Sequence, residues 1–594
     1  MGQRHQVFLV ARVVPSAGGE ARYRCVAAYH HQWCYGRLPL VAARRFLTLL
    51  KQKDNAKLVS EEVRALQGKY GPGTSKPRLP DVPCPYTTFL MASSWCVDLG
   101  KPIYGSGVSF KNSVMEAHMG STEGDNNDGI TVFDITDPAN PSYCFVSTFG
   151  LEAGDEVEAR VPLSAEEYCR AYYPVPTDNE LKKEGAKEME QDVQAKIDAL
   201  RDERLMTLNV LAEAWPKEYE YSAPTNPAED TESSNLASNP IPSLVELSLK
   251  PAVEQAVQTG ETEGLEDLVW HPGKADLIKP ILRDQKPFPD SGLPLLTKVI
   301  QQQSDKSPLD LSGFSLTDSQ LISLFSFPGV EKVEVLDLSH NPNITTDVLR
   351  QLLPVTSKLR HLILLNTSIT DEKLYELLIQ EPKLFLSVEQ LTHPAFLSWQ
   401  DPARYPNGFA YVGFHGGQSA CSASLPVFTP ATVVQSLTDF LGPIADLDDY
   451  ESYGFFGTSL VPQAAFASAV RSADQPWSAR HVHCFPALTD TPFDGRGWLF
   501  AATWASMYEH SASHYGFVSL EPQTVPPKVR KICDLGAFLE EMAAEGRPPA
   551  AEAAVKNLEK IFADLGSKKG ATLFTEADFP PFMEKFVAYS RRRY

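Results

Sequence analysis

The sequence predicts an α+β multidomain protein, with an N-terminal α/β module, a short run of strand-plus-helix repeats, and an α+β C-terminal domain with terminal helices. Three observations predict it. At 594 residues the chain is too long for one hydrophobic core. With 43% apolar and 22% charged residues its composition is that of a globular protein. Segments with an apolar period of two alternate with segments of period 3.6, and this order divides the chain at 1–176, 177–221, 222–243, 244–308, 309–391, 392–530 and 531–594.

The first eighty residues read strand, strand, helix. His5–Val14 alternates, with Val7, Leu9, Ala11 and Val13 on one face, and a Pro-Ser-Ala-Gly-Gly turn leads into Arg22–His31. Leu38–Lys51 carries Val41, Phe46, Leu49 and Leu50 at helical spacing. Tyr86–Leu99 is predicted helical. Gly129–Ile135 and Ser142–Val146 form a hairpin across an Asp-Pro-Ala-Asn-Pro turn. That pair is similar to one strand pair of an LVIVD-type propeller repeat, but no second copy follows, so a single hairpin is expected. Thr177–Ala214 is predicted as one long amphipathic helix, opened by a Thr177/Glu180 capping box and ended by Pro216. Residues 222–243, rich in Pro, Ser and Asn and free of aromatics, are expected to be an acidic disordered linker. Leu244–Gln258, Gly264–Val269, Ala275–Leu282 and Leu293–Gln303 are helices forming a cap. Asp534–Gly546, Ala551–Leu565 and Glu576–Tyr589 are expected to form a terminal helical bundle.

Between these lies the one internal repeat. "LDLSGFSLTD" begins at Leu309, "LDLSHNPNITT" at Leu336 and "LILLNTSITD" at Leu362. Each holds Leu-x-Leu, a turn, an Ile or Leu and a Thr, and each precedes a helical stretch: Ser319–Phe325, Thr346–Leu353, Asp371–Leu378. Residues 309–391 resemble the leucine-rich repeat family. The resemblance implies a curved array with Leu336 and Leu338 inward and Asp337 and Ser339 on the concave face. Asn341 stands where the family buries an asparagine against turn backbone; Phe314 and Thr367 stand there in the other two coils. Three repeats approach the minimum for a stacked core, so flanking domains should cap both ends. The implied function is protein interaction, with Asp310, Glu334, Asp337, Arg360, His361 and Asn366 as candidate partner-binding residues.

Charge is unevenly placed. The net charge is −21, yet residues 1–80 hold fourteen Lys/Arg against four Asp/Glu, and 151–240 hold twenty-one acidic against nine basic residues. These modules face each other or solvent, or the basic one meets a phosphate-rich or acidic partner. The arginines are dispersed and no RNP, zinc-finger or KH signature accompanies them, which argues against nucleic acid. Nine scattered cysteines with no CxxC do not make a disulfide framework. No apolar run reaches the roughly 20 residues of a membrane span, and the N-terminus reads as a strand. The expected compartment is the cytoplasm or nucleus.

In Tyr29–Gly36 the pleat sends His30 away from Tyr29 and His31, so this dense stretch reads as core. His481 and His483 share a strand face, and His510 and His514 stand at i and i+4 of a predicted helix, spacings that would hold a transition metal. The zincin order is missing, because Glu509 precedes both of the latter. No cofactor is expected beyond that ion. Gly413–Ser424 reads as a Gly-rich loop, with Cys421 and His415, suited to an anion. Neither a GxSxG elbow nor a Walker loop is present. The function expected is therefore an intracellular interaction or scaffold protein. The alternatives are an enzyme, with or without a metal, whose site lies in residues 405–515, and binding of nucleic acid or an acidic partner through residues 1–80.

Overall fold

A computed structural model describes residues 4–71 (33 and 35 excepted), 79, 82–96, 113–147, 160–172, 186–219, 244–303, 308–326, 329–396, 408–415, 419–446, 497–504, 513–521 and 528–590. Mixed α+β structure runs throughout, in three separate sheets. The predicted 222–243 linker, the Thr177/Glu180 cap, and His481, His483 and His510 lie outside these residues.

In the N-terminal unit, β1 (Arg4–Val13) and β2 (Arg22–Gln32) pair antiparallel. Three helices follow: α1 (Leu38–Leu50), with Pro39 in its first turn, α2 (Lys53–Ala65) and α3 (Pro85–Cys96). Next come β3 (Ser113–Met115), β4 (Ile130–Asp134), β5 (Ser142–Val146), α4 (Ala165–Tyr172), α5 (Ala186–Asp198), β6 (Arg204–Leu205), α6 (Leu208–Ala214) and α7 (Pro216–Tyr219). The sheet order is β3-β2-β1-β4-β5-β6, with β1 and β4 parallel at its centre. Both faces are buried, not one. Val7, Leu9, Ala11 and Val13 join the large core with α1 and α3, while Phe8, Val10, Val132 and Cys144 pack with Met206, Leu211, Trp215 and Tyr219. The predicted long helix over 177–214 is broken. Arg204–Leu205 instead extends the sheet beside β5, which turns the chain and drops Met206 and Leu211 into the second core. Tyr29 and Cys34 are core residues, with the Tyr29 and His31 rings edge to face.

Four helices lead into the array: α8 (Leu244–Thr259), α9 (Glu263–Val269), α10 (Lys274–Arg283) and α11 (Leu293–Gln303). The array alternates short strands with helices: β7 (Leu309–Asp310), α12 (Asp318–Leu324), β8 (Val335–Asp337), α13 (Thr346–Val355), β9 (His361–Ile363), α14 (Asp371–Gln380) and β10 (Gln390–Thr392). All strands are parallel, and Leu309, Leu336, Leu362 and Leu391 stand in register. Thr317, Thr345 and Thr370 cap the three helices through their hydroxyls. Gly313, His340 and Asn366 hold the same left-handed turn in successive coils, with φ of 71°, 59° and 53°. Asn341 is buried. Its amide donates to Leu311 O and Leu338 O at 2.8 and 2.9 Å, and its carbonyl accepts from Leu316 N at 3.0 Å.

The C-terminal unit comprises β11 (Phe409–His415), β12 (Ser419–Leu425), α15 (Pro430–Asp446), β13 (Gly497–Trp504), β14 (His514–Leu520), β15 (Val529–Cys533), α16 (Leu535–Ala544), α17 (Glu552–Lys569), β16 (Thr572–Leu573) and α18 (Phe579–Ser590). The sheet order is β12-β11-β13-β14-β15, with β16 alongside the start of β14. The predicted loop over Gly413–Ser424 is instead most of a hairpin, pairing Gly413 with Cys421 and His415 with Ser419. The last three helices are not a separate bundle. Phe538 and Phe562 pack on Phe517 of the sheet, and Phe579 and Phe582 cover its other face with Val412 and Leu499.

Candidate functional site

Among the described residues, a group of buried ionisable side chains lies where α2 crosses the strand face of the array. On α2, Lys57, Glu61 and Arg64 recur at i, i+4 and i+7 and share one face. On the array, Asp310 and Asp337 are register partners on β7 and β8, so their side chains stand side by side. Each Asp Oδ1 accepts a backbone N–H two residues on, from Ser312 at 2.9 Å and Ser339 at 3.0 Å, which fixes both carboxylates.

Lys57 Nζ sits among the acids, 3.3 Å from Asp310 Oδ2, 3.3 Å from Asp337 Oδ2 and 3.7 Å from Glu61 Oε1. Ser312 Oγ donates to Glu61 Oε1 at 3.0 Å, and Arg283 of α10 donates to Asp310 Oδ2 at 2.9 Å. Burial opposes ionisation of Asp310, but Lys57, Arg283 and Lys279 outweigh it and hold its carboxyl well below the usual range. Burial likewise opposes charge on Lys57, and Asp337, Glu61 and Asp310 overcome it, keeping the ammonium firmly charged. Glu61 goes the other way. Its carboxyl is raised to about 8, by burial first and then by the Asp337 charge, and its Oε2 is buried without a partner.

Chemically this is an ionic seam tying α2, β7, β8 and α10 together. Glu61, Asp310 and Asp337 bring carboxylate oxygens within 4.8 Å of one another, a set that could hold a metal ion. The ammonium of Lys57 already stands at their focus, so a cation entering there would have to displace it.

The predicted partner-binding residues fall into three groups. Asp310 and Asp337 are inside the seam, Asp337 being 1% exposed. Glu334 and Arg360 are exposed on the rim, where Arg360 grips Glu389 with both carboxylate oxygens at 2.7 and 2.8 Å. His361 and Asn366 are half-buried. Of the predicted metal histidines, His514 opens strand β14 and not a helix, so helical i, i+4 spacing does not bring it to His510. It stands 3.0 Å from Thr572 Oγ1, through the pairing of β14 with β16.

Lys57 and Glu61 escape the sequence reading because α2 is not predicted; Lys279 and Arg283 lie on or at the end of a predicted helix, but nothing in the sequence aims that helix at the array. The signal for α2 was present: Leu58, Val59, Val63 and Leu66 form an apolar stripe opposite the charged one. The basic N-terminal residues meet acids of the same chain. Arg37 pairs with Asp192 at 2.6 Å, and Arg44 and Lys51 both engage Glu203. No described helix is long and apolar enough to cross a membrane. No family model, curated protein or solved structure matches the chain.

Proposed function

We propose that the chain is a protein-interaction or scaffold protein built on a leucine-rich-repeat spine. The observation that carries this reading is the occupied strand face. There the array holds a helix of another module through Lys57, Glu61 and their aspartate and serine partners, as a surface made to grip polypeptide would. The aligned Leu positions, the threonine caps and the buried Asn341 support the repeat assignment. With Asp310 and Asp337 buried in the seam, the exposed part of the predicted surface is the rim carrying Glu334 and the Arg360–Glu389 pair.

The test is affinity purification of the tagged full chain at about 0.15 M ionic strength, beside an E334K/R360E variant. A stoichiometric partner lost in the variant would support the rim as the working surface. A partner retained in full would place the surface elsewhere, and a clean monomer would sink the scaffold reading.

A further inference from the structure

A second cluster lies at the turn of the array next to the seam, and it is cationic. Arg64 at the end of α2, Lys69 just beyond it, and Lys286 between α10 and α11 are exposed, and among the described residues none is in an ion pair. On a chain of net charge −21, three unpaired cations whose charges act on one turn need a reason. Their fields are felt at His340, that of Arg64 most, then those of Lys69 and Lys286.

His340 is poised to donate. The Asn366 amide lies 3.2 Å from its Nδ1; since the amide nitrogen can only donate, Nδ1 accepts and the ring proton sits on Nε2. That Nε2 is buried and has no hydrogen-bond partner. Burial, followed by the three cations, keeps the ring neutral, with its pKa lowered to about 3. Arg283 repeats the pattern. Its Nη2 serves Asp310 and its guanidinium covers Phe314, but its Nε is buried and unpartnered.

These groups adjoin one another. Gly313 occupies in the first coil the turn position His340 occupies in the second, and its N–H donates to Ser339 O next to His340. A β-carbon placed on Gly313 would lie 3.5 Å from Arg64 Nη2 and 3.8 Å from Arg283 Cδ. Asp310 is the carboxylate facing this turn, and Lys57 and Arg283 already hold it. Two buried N–H donors without acceptors, beside Arg64 and within the field of Lys69 and Lys286, lack one thing: an acceptor with several oxygens and more than one negative charge.

The geometry points to a binding site for a phosphate-type oxyanion at the Gly313–His340 turn, with His340 and Arg283 donating hydrogen bonds and Arg64, Lys69 and Lys286 supplying charge. Phosphate fits better than a carboxylate because it offers three acceptor oxygens and close to two charges at neutral pH. The oxyanion can arrive as a small free anion or as a phosphoserine side chain. The inference stands whether or not the array is a partner-binding spine.

The test is titration calorimetry of the full chain with inorganic phosphate, pyrophosphate and a short phosphoserine peptide, each also run on an R64Q/K286Q variant and on R530Q. Arg530 lies on β15 in the other unit and serves as a charge control. At least one probe should bind one per chain and weaken by about tenfold or more in the double variant, while R530Q binds like wild type. Binding of phosphate or pyrophosphate alone identifies a small-anion site; binding of the phosphopeptide identifies a modified side chain. Both exchanged cations are at the surface, so the fold should survive, and unchanged circular dichroism would confirm it. No saturable binding by any probe, or binding the double variant leaves intact, overturns the proposal.

Discussion

Glu61 carries an acid proton at a pH where glutamates ordinarily have lost theirs. Its carboxyl accepts from Ser312 and faces Lys57, but burial and then the nearby Asp337 charge leave ionisation unfavourable, and the pKa is raised to about 8. The unfolded chain releases this proton near 4.5, the ordinary value. Between these limits the folded state binds more protons than the unfolded, so stability falls as pH rises, from about 4.5 up to about 8, and levels off beyond. Glu61→Gln removes the titration while keeping a carbonyl to accept from Ser312. We predict that the variant loses on the order of 2 kcal/mol less stability than wild type between pH 5 and 8.5. Urea unfolding at the two pH values measures it. Comparing the two proteins cancels Glu62, whose own carboxyl, also buried, is raised to about 7 and titrates in the same window. Parallel pH profiles for wild type and variant would show that Glu61 is already ionised in the folded chain.

At the scale of elements, α2 sets how the N-terminal unit meets the array. Its apolar residues Leu58, Val59, Val63 and Leu66 lie in the core, Glu62 accepts from Tyr86 N and Thr87 N at the start of α3, and Lys57 and Glu61 reach across to β7 and β8. Buried ion networks often add little net stability, but removing one partner leaves the rest uncompensated. Lys57→Met leaves Asp337 without its cation beside Asp310. Because the Lys57 side chain is 37% exposed, the loss should be about 2 kcal/mol, below that of a fully buried pair. Adding Asp337→Asn to Lys57→Met should restore at least half of that loss, a coupling read from a double-mutant cycle by denaturant unfolding. Strict additivity would mean the two charges do not share the seam. The sequence showed the receiving half of this seam and hid the other. Asp310, Asp337 and Asn341 announce themselves through a repeat that puts them at fixed places in successive coils. Helix α2 follows α1 after only two residues, Lys51 and Gln52, with no Gly or Pro between them, so nothing in the chain marks a new element. The broken helix at 199–207 is hidden for another reason: its apolar spacing suits a helix, and only the open edge of β5 makes Arg204–Leu205 a strand. Likewise the glycines and small residues of 413–424 suggested a loop, and pairing with β13 on the other side of β11 made a sheet of them.

Over the whole molecule, the two end units share a plan that no sequence similarity announced. Each places two antiparallel hairpins side by side with their first strands parallel, β1 next to β4 and β11 next to β13, and sets a helix after the first hairpin. Each buries one sheet face in the large core and the other under its last helices. Between them the array never closes its own core. Its first strand is gripped by Arg283 of the helical cap and Lys57 of α2, and at its far end Leu386 lies against the loop at Gly546. Three short coils and a closing strand bury too little apolar surface to stand alone, and each interface they lose is a nearest-neighbour contact of the stack. Residues 309–396 expressed alone should therefore give no cooperative thermal transition by circular dichroism. Residues 1–396, which keep α2, α10 and their seam contacts, should unfold cooperatively, but below the transition of the full chain, because Leu386 and its neighbours lose their cover. A sharp transition in the short fragment would mean the coils carry their own stability. The ends would then be attachments to a finished spine, and the ionic seam would serve orientation alone.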